Sequence, residues 1–181
     1  SFNSFELYGV TILLLLGFGI KIPIWPFYYW LTKTHVEAPT FFSIYLSGFL
    51  VKTALYGLYL CYLNLPWISL YYVYFGIIIF GIYDSTLKMW AQVDLKKLVA
   101  YGTVQEMNGI TLLFLLGGIN GMKLGVLFCI THTLLSGLFF FLVDLLYRMY
   151  RTRNKNTLSG LFILNPEFSW LFLRLNLVYS R

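Results

Sequence analysis

Five long apolar runs, separated by short polar turns, constrain this sequence more than any other feature. They cover about residues 7–30, 40–63, 67–91, 98–118 and 123–147. Each is long enough to cross a bilayer as a helix, which takes about 20 residues. Only 11% of the side chains are charged, whereas soluble domains carry about 25%. The sequence therefore predicts an all-α polytopic membrane protein and excludes a soluble enzyme or a secreted disulfide scaffold.

A sixth, weaker apolar stretch covers about residues 158–178 and contains Pro166, Glu167 and Arg174. These residues predict either an interfacial helix or half of a span. We expect about five spans and this C-terminal piece in one membrane domain, residues 1–181.

Basic residues concentrate on one side of the predicted membrane. The turns after spans one, three and five carry seven Lys and Arg residues, and the opposite side carries only Lys123. The positive-inside rule then places these basic turns in the negatively charged compartment, either the cytoplasm or the mitochondrial matrix. Topology thus explains the net charge of +6, and we expect membrane lipids rather than nucleic acid as partners. The seven basic residues of these turns are Lys33, Lys96, Lys97, Arg148, Arg151, Arg153 and Lys155.

Lys21 lies within the first apolar run and is followed by Pro23 and Pro26. Proline removes backbone hydrogen bonds, so this spacing predicts a broken helix whose freed carbonyls face a polar cavity. The alternative is a lysine that snorkels to the interface, but further apolar and aromatic residues precede Lys33.

Other ionisable residues also lie inside the predicted spans. Lys52 lies near the middle of the second span, too deep for its side chain to reach either interface. Glu106 and His132 are either members of a polar path or ordinary packing residues. Because ionisable groups inside a membrane are costly, these residues are candidates for proton transfer.

Two further charged pairs have the spacing of helical ion pairs. Asp84 and Lys88 are four residues apart, as are Asp144 and Arg148. We interpret both pairs as structural.

The sequence carries no signature of a metal or cofactor site. Cys61 and Cys129 lie in separate apolar segments without CxxC spacing or histidine neighbours, and we interpret them as buried apolar side chains. We expect no metal and no cofactor in this chain.

Five collinear motifs between about residues 10 and 160 resemble the subunit 4 family of respiratory complex I (NADH:ubiquinone oxidoreductase). Lys21 and Lys52 are 31 residues apart, as in that family. The motifs are 21–39 with His35, Glu37 and Pro39; 50–57 around Lys52; 92–101 with Asp94 and Lys96; 131–132; and 147–153.

The resemblance implies part of an antiporter-like proton-pumping fold of about fourteen helices, with one broken helix near Lys21 and Pro23. Lys21 would serve the input half-channel, Lys52 would be the central lysine and His132 would continue the path. The chain departs from the family in having Glu106 and Tyr28 where histidines are usual, and Thr32 where proline is usual.

The same resemblance implies partners and a location. Other membrane-arm subunits of complex I would surround the chain, and companion segments, from a split gene for example, would supply the remaining helices. The location would be the mitochondrial inner membrane, with the basic turns in the matrix. The chain would contribute to NADH:ubiquinone reductase activity without redox chemistry of its own.

Two alternatives stay open at this point. One is a subunit of a related cation/proton antiporter or membrane hydrogenase. The other is a structural bridging fragment without pumping, which a lack of acidic partners for Lys21 would favour.

Overall fold

The computed structural model describes residues 4–64, 71–116 and 118–158, together with 163, 166, 169 and 170. These residues form helices and contain no strand apart from an isolated bridge between Asp94 and Asn154. The expected all-α class is therefore confirmed for the described residues. Most of the C-terminal stretch predicted at 158–178 lies outside them.

Seven α-helices and one π-helical turn follow each other along the described chain. The first helix is interrupted by a non-helical segment, residues 22–28, which contains both prolines, and Ala38 and Pro39 separate the next two helices. The elements are α1 (Ser4–Lys21), α2 (Tyr29–Glu37), α3 (Thr40–Tyr45), the π-helical turn (Leu46–Leu50), α4 (Val51–Asn64), α5 (Tyr71–Ala91), α6 (Leu95–Leu116) and α7 (Gly118–Tyr150).

Short connections, of three residues and of one residue, separate the last three helices. Asp94 caps α6, since its carboxylate accepts a hydrogen bond from the Lys96 backbone N–H at 2.9 Å. Gly118 begins α7 with a φ of +51°, a conformation that glycine adopts readily. These connections allow α5, α6 and α7 to pack as successive neighbours.

Helix α6 lies at the centre of the described bundle. It packs against α2, α4, α5 and α7, whereas α1 packs on α4, and α3 and the π-helical turn pack on α7. Gly121 of α7 approaches the Leu113 carbonyl of α6 so closely that an added Cβ would clash with the oxygen. Small residues allow such close helix contacts in membrane proteins.

The polarity of the bundle is that of a membrane protein. Small polar side chains such as Thr11, Ser85 and Thr111 are buried, while Leu13, Phe41 and Leu134 are exposed. An extensive apolar surface needs lipid or other protein segments to cover it.

Two helical stretches have the length and hydropathy of a span, Thr40–Cys61 with mean hydropathy 1.4 and Asn120–Tyr150 with 2.2. Helices α5 and α6 are 21 and 22 residues long, which is also enough to cross a bilayer. The total of five spans stays a prediction.

Candidate functional site

Lys52 lies in the first turn of α4, directly after the π-helical turn. Its ammonium donates to the backbone carbonyl of Ser47 within that turn. A π-helical turn widens the backbone and is frequent at functional sites. The local backbone therefore supplies a polar partner for a charge in an apolar helix.

His132 of α7 is the second partner of Lys52. The Lys52 Nζ lies 2.6 Å from His132 Nδ1, and the histidine side chain is only 1% exposed. Because an ammonium has only donors, Nδ1 accepts this bond, and a neutral imidazole then carries its hydrogen on Nε2. The contact joins two helices through residues 80 positions apart in the sequence.

Glu106 of α6 faces the other side of the same imidazole. Its Oε2 lies 3.9 Å from His132 Nε2, a nitrogen that is buried and has no hydrogen-bond partner among the described residues. The glutamate side chain is 29% exposed. Lys52, His132 and Glu106, here called the central triad, therefore form a row of three ionisable groups from three helices.

Buried hydroxyls and an apolar pocket surround the central triad. The Ser47 and Ser136 hydroxyls lie 3.3 Å apart, linking the π-helical turn to α7. On another side, Lys52 borders a pocket of about 340 Å³ whose lining includes Leu55, Phe114 and Val126. The ammonium is thus bound on its polar side and faces apolar groups on the other.

Lys21 is not part of this triad. It is the last residue of α1, its side chain is exposed, and it forms no ion pair among the described residues. The non-helical segment that follows is fixed by Asn108, which donates to the Pro23 carbonyl at 3.3 Å, and by Trp30, whose indole donates to the Ile20 carbonyl at 2.8 Å. The predicted helix interruption is therefore found at the two prolines. The expected polar cavity is not what satisfies the Ile20 and Pro23 carbonyls, because side chains of α2 and α6 donate to them.

The remaining motif residues meet at the end of the bundle that carries the basic turns. Lys96 Nζ donates to the Ala38 carbonyl at 2.5 Å, and Arg153 donates to the Val36 carbonyl at 3.3 Å. These two cations bind carbonyls freed where α2 ends and Pro39 prevents continuation of the helix. Glu37 lines a pocket of about 370 Å³ at the same place.

His35 is fully buried beside this cluster. Its ring stacks on Phe140 with centroids 4.7 Å apart, and neither ring nitrogen has a hydrogen-bond partner among the described residues. Burial, and secondarily the charge of Lys96, lowers the pKa of His35 to about 3. The histidine is therefore neutral at physiological pH.

Both expected ion pairs are confirmed. Lys88 lies 2.8 Å from Asp84, and Arg148 lies 2.9 Å from Asp144. Sequence reasoning missed that the buried Tyr28 hydroxyl donates to Asp84, a contact across 56 residues for which no local signal exists.

The cysteines form no disulfide with each other. Cys61 and Cys129 lie at half-buried positions, so the interpretation of both as buried side chains was wrong in degree. The residues that the structure describes contain no cluster of His, Cys, Asp or Glu suited to a metal.

Comparisons with known proteins match the chain along nearly all of its length. Residues 1–180 match the family described as "NADH:quinone oxidoreductase/Mrp antiporter, TM". The protein named NADH-ubiquinone oxidoreductase chain 4 of Paramecium tetraurelia is 52% identical over 162 residues, which cover 89% of this chain and 34% of that protein.

More distant relatives carry the same name. Those of Chondrus crispus and Marchantia polymorpha are 35% and 34% identical, cover 87% of this chain, and are each covered to 32%. The chain spans about a third of the length of the curated relatives it matches.

Proposed function

Because the chain belongs to the NADH:quinone oxidoreductase/Mrp antiporter membrane family, we propose that it forms part of the proton-translocating membrane arm of a respiratory NADH:ubiquinone oxidoreductase. The shared name of its relatives supports this choice over a cation/proton antiporter. Its partners are the other membrane-arm subunits and the segments that supply the rest of the fold. Its location is the mitochondrial inner membrane, with the basic turns in the matrix.

The observation that carries the proposal is the central triad. A proton leaves the Lys52 ammonium along its bond to His132 Nδ1, while the hydrogen on Nε2 passes to the Glu106 carboxylate. An imidazole suits this task because it accepts at one nitrogen and donates from the other. The 3.9 Å gap between Nε2 and Oε2 exceeds a hydrogen bond, so this step requires movement of the glutamate side chain. That movement controls the transfer.

Glu106 takes the place of the family histidine in this scheme. A carboxylate beside His132 can accept the Nε2 hydrogen, as a histidine at this position would. Its negative charge also offsets the positive charge of Lys52 on the other side of the imidazole. The replacement therefore preserves the path while changing the charge of its acceptor.

Lys21 supplies the input side of the path. Its exposed position at the end of α1, where the proline-containing segment begins, suits a residue in contact with water. Its exposed side chain leaves room for a carboxylate from another segment, which would favour the charged form of the lysine. Energy reaches the chain through conformational or electrostatic changes in neighbouring subunits.

Two replacements of Lys52 test the proposal in the assembled complex. Lys52→Arg keeps the charge and the donors but does not release a proton, because the arginine pKa exceeds 12. Lys52→Met removes the charge as well. We expect fewer protons moved per NADH oxidised in both variants, with assembly better preserved in the arginine variant.

The matched control is Lys123→Met, since Lys123 is an exposed lysine on α7. Wild-type proton transfer in an assembled Lys52→Met complex would show that the chain is a structural bridge. Sodium-dependent transport by a complex without NADH oxidation would favour the antiporter.

A further inference from the structure

The non-helical segment 22–28 packs against one stripe of α5. The Trp25 and Phe80 rings meet edge to face with centroids 4.8 Å apart. At Gly81 an added Cβ would lie 3.2 Å from the Trp25 Cβ, so glycine permits the close approach. Phe80, Asp84 and Lys88 follow each other at four-residue intervals and therefore share this face of the helix.

Tyr28 is the last residue of segment 22–28 and lies within the contact with α5. Its side chain is 4% exposed, and its hydroxyl donates to the Asp84 carboxylate. The Lys88 ammonium donates both to the Tyr28 oxygen and, at 2.8 Å, to Asp84 Oδ2. It also lies 5.0 Å from the centroid of the Tyr28 ring, within the range of a cation–π contact.

Tyr28 is buried, and its hydrogen bond to Asp84 links segment 22–28 to α5. The Lys88 side chain is 46% exposed, and an exposed ion pair within one helix contributes little to stability. A phenol that donates to a carboxylate forms a charge-assisted hydrogen bond, which is roughly twice as strong as a neutral one. The pair on α5 therefore acts mainly as a binding site for the tyrosine.

We propose that Tyr28, Asp84 and Lys88 form a latch that holds segment 22–28 against α5 and thereby positions Lys21 at the other end of the segment. Lys21 immediately precedes this segment, so a shift of the segment along α5 moves the lysine. The three latch residues carry no transferred proton. Their effect on proton transfer rests on the function proposed above for Lys21.

A buried cysteine reports on the latch directly. Ile24 lies within the segment and is buried, so a water-soluble maleimide labels Ile24→Cys in the assembled complex only when the segment opens. Loss of one hydrogen bond to a charged group is expected to raise the labelling rate roughly 10-fold to 150-fold. We expect this rise in Tyr28→Phe and in Asp84→Leu, which leaves the tyrosine without an acceptor, with no further rise when both are combined.

Tyr29→Phe is the matched control, since Tyr29 is the neighbouring tyrosine but is exposed. It should leave the rate unchanged. Labelling that stays at the wild-type rate in Tyr28→Phe would overturn the latch, as would independent, multiplying effects of the Tyr28 and Asp84 replacements.

The positioning role has a separate readout. Tyr28→Phe should lower the protons moved per NADH, and Tyr28→His should restore them, because an imidazole N–H can donate to Asp84. Normal proton transfer in Tyr28→Phe, alongside a defect in Lys21→Met, would overturn the positioning role. Normal transfer in Lys21→Met would instead refute the function proposed for that lysine, and the labelling rates would still decide the latch.

Discussion

Replacing His132 by glutamine separates the structural role of this residue from its proposed role in proton transfer. The imidazole accepts a hydrogen bond from Lys52 at 2.6 Å and is 1% exposed. Glutamine still offers a carbonyl oxygen to the ammonium, but its amide does not accept and release protons as an imidazole does. His132→Leu serves as the comparison, because leucine offers no acceptor at all.

The magnitude follows from the bond that leucine removes. A hydrogen bond to a charged group contributes about 1.5–3 kcal/mol, and about 1.4 kcal/mol corresponds to a factor of ten in rate. We assume that this hydrogen bond is already broken in the transition state of unfolding, so its absence from the native state of His132→Leu speeds unfolding by the full factor. The heat-inactivation half-life of the complex then shortens by roughly 10-fold to 150-fold. His132→Gln should stay within a few-fold of the wild type.

The assay combines these half-lives with protons moved per NADH oxidised in sealed membrane vesicles. Both variants should move fewer protons, although only the leucine variant should be unstable. Thr131→Val, which alters the exposed neighbour on the same helix, should change neither quantity. Full proton transfer in a stable His132→Gln complex would refute the relay through the imidazole.

Three further predictions concern the scaffold. Gly121→Ala should destabilise the complex by about 1–3 kcal/mol, because the added methyl group clashes with the α6 backbone. Gly109→Ala is the control, since Gly109 has open space around it and its replacement should not destabilise the complex. Thermal unfolding midpoints measure the difference. Lys96→Met should shorten the inactivation half-life because it leaves a carbonyl at the end of α2 unbound, while Lys97→Met serves as the control. The pKa of His35 is about 3 when folded and 6.5 when unfolded, so unfolding takes up a proton below pH 6.5 and stability falls as the pH falls, by about 1.4 kcal/mol per unit. His35→Phe should reduce this acid sensitivity between pH 6.5 and 5, and an unchanged pH profile would contradict the assignment.

Local sequence patterns predicted the features that depend on neighbouring residues. The composition and apolar runs predicted the helical class, and two prolines after Lys21 marked where the first helix ends. Four-residue spacing predicted the pair of Asp84 and Lys88. These features depend on helix periodicity and backbone sterics, which act over a few residues.

The sequence alone also identified Lys52 as a charge that an apolar helix does not explain, and it offered Glu106 and His132 as members of a polar path or as packing residues. It did not predict that they lie in one row, since the helices that carry them meet only when α4, α6 and α7 pack together. Tyr28 shows the same limit, because nothing near it in the sequence indicates that a carboxylate 56 residues away accepts its hydrogen bond.

Tertiary structure also decided which of the two lysines in the apolar runs has polar partners. Lys21 and Lys52 have the same side chain and both interrupt apolar runs. The local backbone gives Lys52 the Ser47 carbonyl and packing adds His132, whereas Lys21 is left exposed at a helix end. The physical reason is that the sequence sets the cost of a charge in an apolar span, whereas only the arrangement of neighbouring helices determines which groups offset that cost.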